Sequence, residues 1–467
     1  MENIIQQITL ELVAKINEKA FSKELTDLDK LAADLFEDCT EYAKLMVQEV
    51  IRIRNLQFRA DKAFRKQEGL VLKEKERPRQ ILTKLGIIEW NRDYYYDKTE
   101  EGYVFPLDHM LGIRSYERLG DEVTAQMLNR ATEVSYAKST DIVTGGAVSR
   151  QSVHNHILKA DIPEKQPKIE KKEVRQLHLY ADEDHVHMQK PRKERGKQNR
   201  IVPLVTVTEG TRPVGSRRNQ TIEPMHFVDE AQSAKGLWKS VEGYVAKAYD
   251  VEQIEEIYIH ADGGNWIQNG LESFSNVIHV MDGYHFFEKL GTVANKFPQH
   301  NVKVVLLNAI EKDDRRKADM FIQELSREDA DVLKFGTYLF GNWEEIRNLI
   351  TLDIPGSCTE GQVSHVLSER FSRNPMGWSK AGLGKLSKLR VYCCNGEKLT
   401  AADLKAKQEK ESYSKYADRF INENIRDAYD WTIFDSEPFI MDGNSGTQIA
   451  MKYYGIDHGI AGLNTLS

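Results

Sequence analysis

Two short apolar runs that each end in an aspartate constrain the fold of this chain more than any other feature. Residues 177–181 are followed by Asp182, and residues 257–261 are followed by Asp262. Runs of this length that are rich in aromatic and β-branched residues predict strands, so each aspartate is expected at the end of a strand. A third carboxylate, Glu360, is predicted on a later helix. Two divalent ions that cut a phosphodiester in line need such a set of carboxylates.

The predicted metal ligands and catalytic residues are therefore Asp182, Asp262 and Glu360. Carboxylate oxygens suit Mg2+, and Mn2+ is expected to substitute; two divalent ions are predicted. Strand alternation places Asp184 on the same face as Asp182, so either aspartate could be the first ligand. We favour Asp182 because it directly follows the apolar run. The alternatives for this segment are an acidic turn, or a zinc site built from Asp184, His185 and His187, which no cysteine or HxH partner elsewhere in the sequence completes.

A third apolar run, residues 277–281, ends in Asp282, and His285 follows three residues later. This D-x-x-H unit could support the site by positioning a scissile DNA strand or a flipped nucleotide through hydrogen bonds. The alternative is that Asp282 only caps the helix that begins near residue 286.

Composition favours an enzyme without membrane segments. The 467 residues predict two to four domains. No apolar run approaches the roughly 20 residues that a membrane helix needs, and the N-terminus lacks the pattern of a secretion signal. The four cysteines form no CxxC pair, which argues against a zinc ribbon or a disulfide framework. A reducing cytoplasm is the expected location.

DNA binding is predicted from local clusters of basic residues, although the net charge is −7. The helix predicted at 148–157, with Ser149 as its N-cap, resembles a recognition helix, and a plain three-helix packing unit is the alternative. Solvated loops are the alternative for the basic runs after Asp182. The predicted DNA-binding residues are Arg150, Gln151, Lys193, Arg195, Lys197, Arg217, Arg218, Arg370 and Arg373.

The domain organisation follows from changes in periodicity, with a charged, proline-containing linker at 162–172 as the clearest boundary. A hairpin is predicted at 81–97, where tyrosine packing is favoured over base stacking. Strands are predicted at 176–188, 200–208, 224–229, 255–261 and 276–281, with a helix at 234–249. The predicted domains are a helical N-terminal arm (1–75), a small sheet with a helix-turn-helix-like region (76–160), the first part of an α/β core (174–285), a helical insertion (286–350), the end of the core (351–400) and a C-terminal tail (401–467).

Four blocks, residues 83–96, 106–112, 261–267 and 360–379, make this chain similar to the ISLre-type insertion-sequence transposases, a bacterial family near the Mutator-like DDE group. The resemblance implies an RNase H-like core, a mixed sheet flanked by helices, with a helical insertion between the second aspartate and the glutamate. It also implies that Asp182, Asp262 and Glu360 bind two ions and that Asp282 and His285 form the signature of that group.

The function expected from these residues is transposition: binding of element ends, metal-dependent cleavage, and attack of the freed 3′-hydroxyl on target DNA. The expected partners are element-end and target DNA and further copies of the chain, with the protein bound to the nucleoid when it is on DNA. The alternatives are an inactive, domesticated DNA-binding protein and an RNase H-like nuclease or resolvase. The intact acidic set argues against the first, and the long insertion argues against the second.

Overall fold

The computed structural model describes residues 4–22, 27–189, 199–215, 218–356, 358–373 and 376–405. These residues divide into two compact units, one that comprises the residues up to Val123 together with Lys405 and one that comprises residues 124–404. The chain is a mixed α/β protein with many helices. Within the described ranges, every helix is too short or too polar to cross a membrane.

The first unit combines helices with a three-stranded antiparallel sheet in the order β1-β2-β3. The predicted hairpin is confirmed, but its first strand begins at Leu70, inside the predicted helical arm. Tyr95 is buried edge-on against Phe58, and Tyr94 stacks on Tyr103 with 5.1 Å between ring centroids, so these tyrosines pack within the unit. Its elements are α1 (Ile4–Ala20), α2 (Leu28–Ala60), α3 (Lys62–Gln67), β1 (Leu70–Thr83), β2 (Gly86–Asp97), β3 (Gly102–Val104) and α4 (Pro106–Met110).

Three helices lead into the second unit: α5 (Asp121–Ala131), α6 (Tyr136–Thr144) and α7 (Arg150–Lys159). Gly145 ends α6 in the left-handed conformation, with φ of 58°, which glycine adopts without strain. The predicted helix at 148–157 is confirmed with a shift of two residues. Ser149 occupies its N-cap, but its side chain makes no capping hydrogen bond.

A five-stranded mixed sheet in the order β10-β9-β4-β5-β8 forms the centre of the second unit. β4 is parallel to β9 and β9 to β10, whereas β5 is antiparallel to both β4 and β8. The five predicted strands are confirmed to within two residues at each end; the small hairpin β6–β7 was not predicted. The strands are β4 (Gln176–His187), β5 (Asn199–Thr208), β6 (Thr211–Gly215), β7 (Arg218–Thr221), β8 (Met225–Phe227), β9 (Glu256–Ala261) and β10 (Val277–Met281).

Opposite faces of this sheet have different partners because side chains alternate along each strand. Leu177, Leu179 and Ala181 point into an apolar core with α8, whereas α15 packs against β4 near Asp182. The linker predicted at 162–172 has almost no regular secondary structure and lies within the second unit. The helices around the sheet are α8 (Ala234–Ala248), α9 (Gln268–Leu271), α15 (Thr359–Val363), a π-helical turn (Ser364–Ser368), α16 (Glu369–Phe371), α17 (Lys380–Cys394) and α18 (Ala401–Lys405).

Five helices follow β10 and enclose an apolar core of their own, which includes Phe286, Leu306, Ile322, Leu339 and Trp343. Because this segment separates Asp262 from Glu360 in sequence, it occupies the position predicted for the helical insertion. The helices are α10 (Gly283–Lys296), α11 (Val302–Glu311), α12 (Arg315–Ser326), α13 (Val332–Gly341) and α14 (Trp343–Thr351).

Candidate metal centre

Three parallel strands carry aspartates to the same edge of the sheet. Tyr180 pairs with His260 on β9, and Ala261 pairs with Met281 on β10. Asp262 and Asp282 directly follow the second pair, and Asp182 lies two residues after Tyr180. The carboxyl ends of adjacent parallel strands meet at one edge, and this edge is where open α/β sheets bind ligands.

The predicted ligands Asp182 and Glu360 meet at this edge, and His285 joins them. Each offers one ligand atom, and these atoms all lie within 4.8 Å of one another. Asp182 belongs to β4, Glu360 to the first turn of α15, and His285 to the first turn of α10. Two separate helix starts therefore converge on Asp182. Because β4 continues past this residue to His187, the prediction that Asp182 lies at the end of its strand was wrong.

Asp282 holds the start of α10 in place. Its side chain accepts a hydrogen bond from the backbone N–H of His285 at 3.1 Å, and its own N–H donates to the carbonyl of Ala261 at 2.8 Å. The capping interpretation is thus confirmed. Since the cap fixes the first turn of α10, Asp282 also determines where the His285 ring lies.

Asp262 lies beside the cluster and outside the three-residue group. Its exposed carboxylate accepts a hydrogen bond from the N–H of Gly264 at 3.1 Å, and its charge is close enough to raise the pKa of Asp182. The loop needs glycine at Gly263, where φ is +93°. The indole of Trp266 donates to Glu183 and so ties this loop to the strand that carries Asp182.

Burial raises the pKa of Asp182 from 3.8 to about 7. The backbone N–H of Glu183, at 2.8 Å from Asp182 Oδ1, and the neighbouring His285 oppose this rise, while Asp262 and Asp282 add to it. A carboxyl that is only 8% exposed beside two further acids is costly to ionise without a cation. Such a perturbed group marks a functional site.

Asp184, the alternative first ligand, is engaged elsewhere. Its Oδ1 accepts hydrogen bonds from the hydroxyls of Ser368 and Ser372 at 3.1 and 2.9 Å. These bonds attach β4 to the helical segment that follows Glu360. The choice of Asp182 over Asp184 therefore agrees with the geometry. Across the described ranges, no ligand cluster includes His185 or His187.

A buried histidine pair on the same face of the sheet was not predicted. His178 Nδ1 and His260 Nε2 lie 3.1 Å apart. Burial lowers the pKa of His178 to about 4 and that of His260 to about 3, so both rings are neutral at pH 7. Tyr258 stacks on His178 with centroids 5.0 Å apart. The spacing of these histidines in the sequence could have predicted the pair, because His178 precedes Asp182 by four residues and His260 precedes Asp262 by two.

Two arginines predicted to bind DNA differ in their exposure. Arg370 is only 3% exposed, donates to the carbonyl of Ala131 at 2.9 Å, and lies over the ring of Trp378. Because it is buried and occupied inside the second unit, it cannot reach a phosphate, which corrects that prediction. Arg373 is half exposed and bonds to Ser364 Oγ at 2.6 Å.

Some of the other predicted DNA-binding residues lie in the described regions, and the rest do not. Arg150 and Gln151 are exposed on α7, and Gln151 donates to Asn155 at 3.0 Å. The backbone of Arg218 lies in β7, and its side chain is outside the described part. Four other positions lie outside the described residues. Lys193, Arg195 and Lys197 precede β5 in the sequence, and Arg217 lies between β6 and β7 in the sequence.

The donor set fits one divalent ion. Ligands of a six-coordinate ion at about 2.1 Å lie roughly 3–4 Å apart, so donors within 4.8 Å of one another need only a small adjustment to bind a common ion. Two carboxylates match the preference of Mg2+ and Mn2+, and an imidazole extends the choice to later transition metals.

Residues 21–408 match the model of a family described as "Uncharacterised protein family (UPF0236)". Two relatives come from Caldanaerobacter subterraneus subsp. tengcongensis. UPF0236 protein TTE2489 is 33% identical over 425 residues, 89% of this chain and 85% of the relative. A second UPF0236 protein, whose name joins eleven TTE designations, is 32% identical over 425 residues, 89% of this chain and 84% of the relative. The chain therefore belongs to the UPF0236 family.

Proposed function

We propose that this chain is a DDE-type transposase that binds the ends of an insertion sequence and catalyses metal-dependent DNA cleavage and strand transfer. The observation that carries the proposal is the convergence of Asp182, Glu360 and His285 within 4.8 Å at a strand edge that also presents Asp262 and Asp282. A structural cluster of acids would be expected to contain a basic partner. This one contains a single histidine, and Asp182 is buried.

The sheet order supports an RNase H-like catalytic core for this proposal. β4, β5 and β8 are successive antiparallel neighbours, and β9 and β10 then add in parallel on the other side of β4. This is the arrangement expected of such a core. The helical segment α10–α14 lies between the second aspartate and Glu360, where the resemblance implies an insertion.

In this proposal, some side chains of the centre bind metal ions and others hold the ligands in position. Asp182, Glu360 and His285 would hold one divalent ion, and Asp262 with Asp182 a second; Mg2+ or Mn2+ would supply charge stabilisation and a lowered pKa for the attacking hydroxyl. Asp282 keeps the first turn of α10 in position. Glu183 and Trp266 fix the Asp262 loop relative to β4. Positioning of this kind accounts for much of the rate in phosphoryl transfer.

Names of the relatives support a mobile element. One relative's name joins eleven designations, another joins four and a third joins two, all in one organism. We interpret each joined name as one protein encoded at several places in a genome. Repeated copies of one coding sequence are expected of an element that transposes, whereas a host nuclease needs a single copy.

A plasmid excision assay tests the proposed function. The DNA flanking the gene is first sequenced for paired inverted repeats, and the segment between them is placed on a plasmid. Asp182→Ala, Asp262→Ala and Glu360→Ala should each abolish excision, while binding to the repeats is retained because the DNA-binding surface lies elsewhere. Asp353→Ala, at an exposed carboxylate, is the matched control.

Three results would contradict the proposal. Excision by all three alanine variants at the wild-type rate would separate the cluster from the chemistry. Cleavage of DNA without joining, on any substrate that carries the repeats, would favour the nuclease alternative. Binding of the repeats with no cleavage by the wild type in Mg2+ or Mn2+ would favour a non-enzymatic DNA-binding protein.

A further inference from the structure

A cavity of about 270 Å³ lies in the second unit at the opposite side of the sheet from β10. It is enclosed by the edge strand β8, by α8 and α17, and by the extended segment 163–167. The proposed metal centre lies at Asp182 on β4 and beside the carboxyl ends of β9 and β10, so the cavity is a separate feature. Its size is near the lower end of the range for small-ligand pockets, about 300–1,000 Å³.

Basic side chains dominate the rim of this cavity. Lys239, Lys247 and Lys388 line it, and none of them makes an ion pair within the described ranges. A fourth lysine, Lys165, pairs with Glu397 and is occupied. Glu164 is the one acidic residue among those that line the cavity. Three uncompensated ammonium groups around one opening, in a chain with a net charge of −7, favour an anionic ligand.

The wall of the cavity is aromatic and apolar. Tyr244 and Phe227 contribute rings whose centroids are 5.2 Å apart, and Tyr392 and Val391 contribute from α17. Flat rings of this kind favour a planar ligand, because aromatic side chains stack on a flat π-system.

An added peptide strand is excluded as the ligand. At the edge of the sheet, Asn395 mimics a neighbouring strand: its Oδ1 accepts from the N–H of His226 at 2.8 Å, and its amide donates to the carbonyl of His226 at 2.9 Å. These backbone groups of β8 are therefore already paired and cannot accept another strand.

We propose that this cavity binds a nucleoside phosphate, with the base beside Tyr244 and the phosphate on Lys239, Lys247 and Lys388. The same chemistry is offered by a free nucleotide and by an unpaired nucleotide of a DNA strand. This inference does not rest on the proposed function, because the cavity uses neither the acidic cluster nor a metal ion.

Isothermal titration of the whole protein with deoxyadenosine monophosphate, in EDTA, tests the proposal. Gly243→Leu is the blocking variant: a Cβ at this position of α8 meets no atom within 4 Å, so the side chain enters the cavity without a clash, and leucine favours the helix more than glycine does. The second variant is Lys239→Ala with Lys247→Ala. The control is Lys235→Ala, on the same helix but outside the cavity.

The proposal requires that the nucleotide bind the wild type and Lys235→Ala equally, and both other variants at least about tenfold more weakly, the loss expected for charge-assisted contacts. Absence of binding to the wild type, or undiminished binding to Gly243→Leu, would overturn it. Inorganic phosphate that binds as tightly as the nucleotide would overturn the role of the rings. If a single-stranded oligonucleotide competes with the nucleotide, the natural ligand is an unpaired nucleotide of a DNA strand. If it does not compete, the natural ligand is a free nucleotide.

The same variants separate this inference from the proposed function. Asp182→Ala should bind the nucleotide as the wild type does, even where excision is lost. Loss of nucleotide binding in Asp182→Ala, with the fold retained by circular dichroism, would place the ligand at the acidic cluster and refute the separate site.

Discussion

Replacing Asp182 with asparagine should stabilise the metal-free protein at neutral pH. The pKa of this carboxyl rises from 3.8 to about 7 on folding, chiefly because the group is buried. The unfolded chain therefore releases the proton more readily than the folded chain. Ionising the buried carboxyl lowers the free energy of unfolding. This loss of stability is absent below pH 3.8, grows as the pH rises, and is fully present above pH 7. Asparagine carries no charge and avoids this cost.

The size of the effect follows from the difference in pKa. Each pKa unit corresponds to about 1.36 kcal/mol, so the cost is on the order of 4 kcal/mol at pH 8 and about 2 kcal/mol at pH 5. The Asp182→Asn variant should therefore gain about 2 kcal/mol over the wild type between these two pH values. Chemical denaturation in EDTA, followed by circular dichroism, measures this gain. Asp353→Asn, at an exposed carboxylate, should show none.

A divalent ion should make the wild type more stable than Asp182→Asn. Binding of Mn2+ favours the ionised carboxylate, so saturating Mn2+ should stabilise the wild type at pH 7 and leave Asp182→Asn nearly unchanged. The reasoning is refuted if the variant is less stable than the wild type at pH 8 in EDTA, or if its advantage does not change between pH 5 and pH 8.

Further perturbations address other parts of the second unit. His285→Ala should weaken Mn2+ binding at least about tenfold in isothermal titration, because it removes one of three donors; unchanged affinity would exclude the imidazole as a ligand. Arg370→Ala should destabilise the protein by about 2–4 kcal/mol in urea, because the guanidinium is buried and bonded to a carbonyl; a loss of DNA affinity with unchanged stability would contradict this assignment. Gly263→Ala should cost about 1–2 kcal/mol, since φ is +93° and the new Cβ lies 3.1 Å from Asn342 Oδ1; a neutral result in the same denaturation assay would refute the strain. Binding to element ends should fall steeply with salt as counterions are released, and a salt-independent affinity would contradict DNA contact.

Much of the second unit was predictable because its information is local. Apolar runs that end in aspartates predicted strands β4 and β9. Asp262 directly follows β9, whereas pairing with β5 extends β4 beyond Asp182 to His187. Asp182 was preferred over Asp184 because only Asp182 directly follows the run. The periodic, charged stretch after His285 predicted a helical segment of its own. Strand and helix periodicity depends on neighbours in sequence, so a pattern of residues is sufficient to detect it.

Which side chains meet depends instead on strand order and on the docking of helices. His285 reaches Asp182 only because β10 lies beside β9 and α10 starts at that edge. Asp184 is bonded by two serines, and Arg370 is buried over Trp378, because the segment after Glu360 packs within the second unit. A charged residue in a sequence looks solvent-exposed until packing gives it a partner. The sequence alone determined the chemistry available at this sheet edge; the tertiary structure decided which groups share it, because contacts between distant segments arise only when the chain is folded.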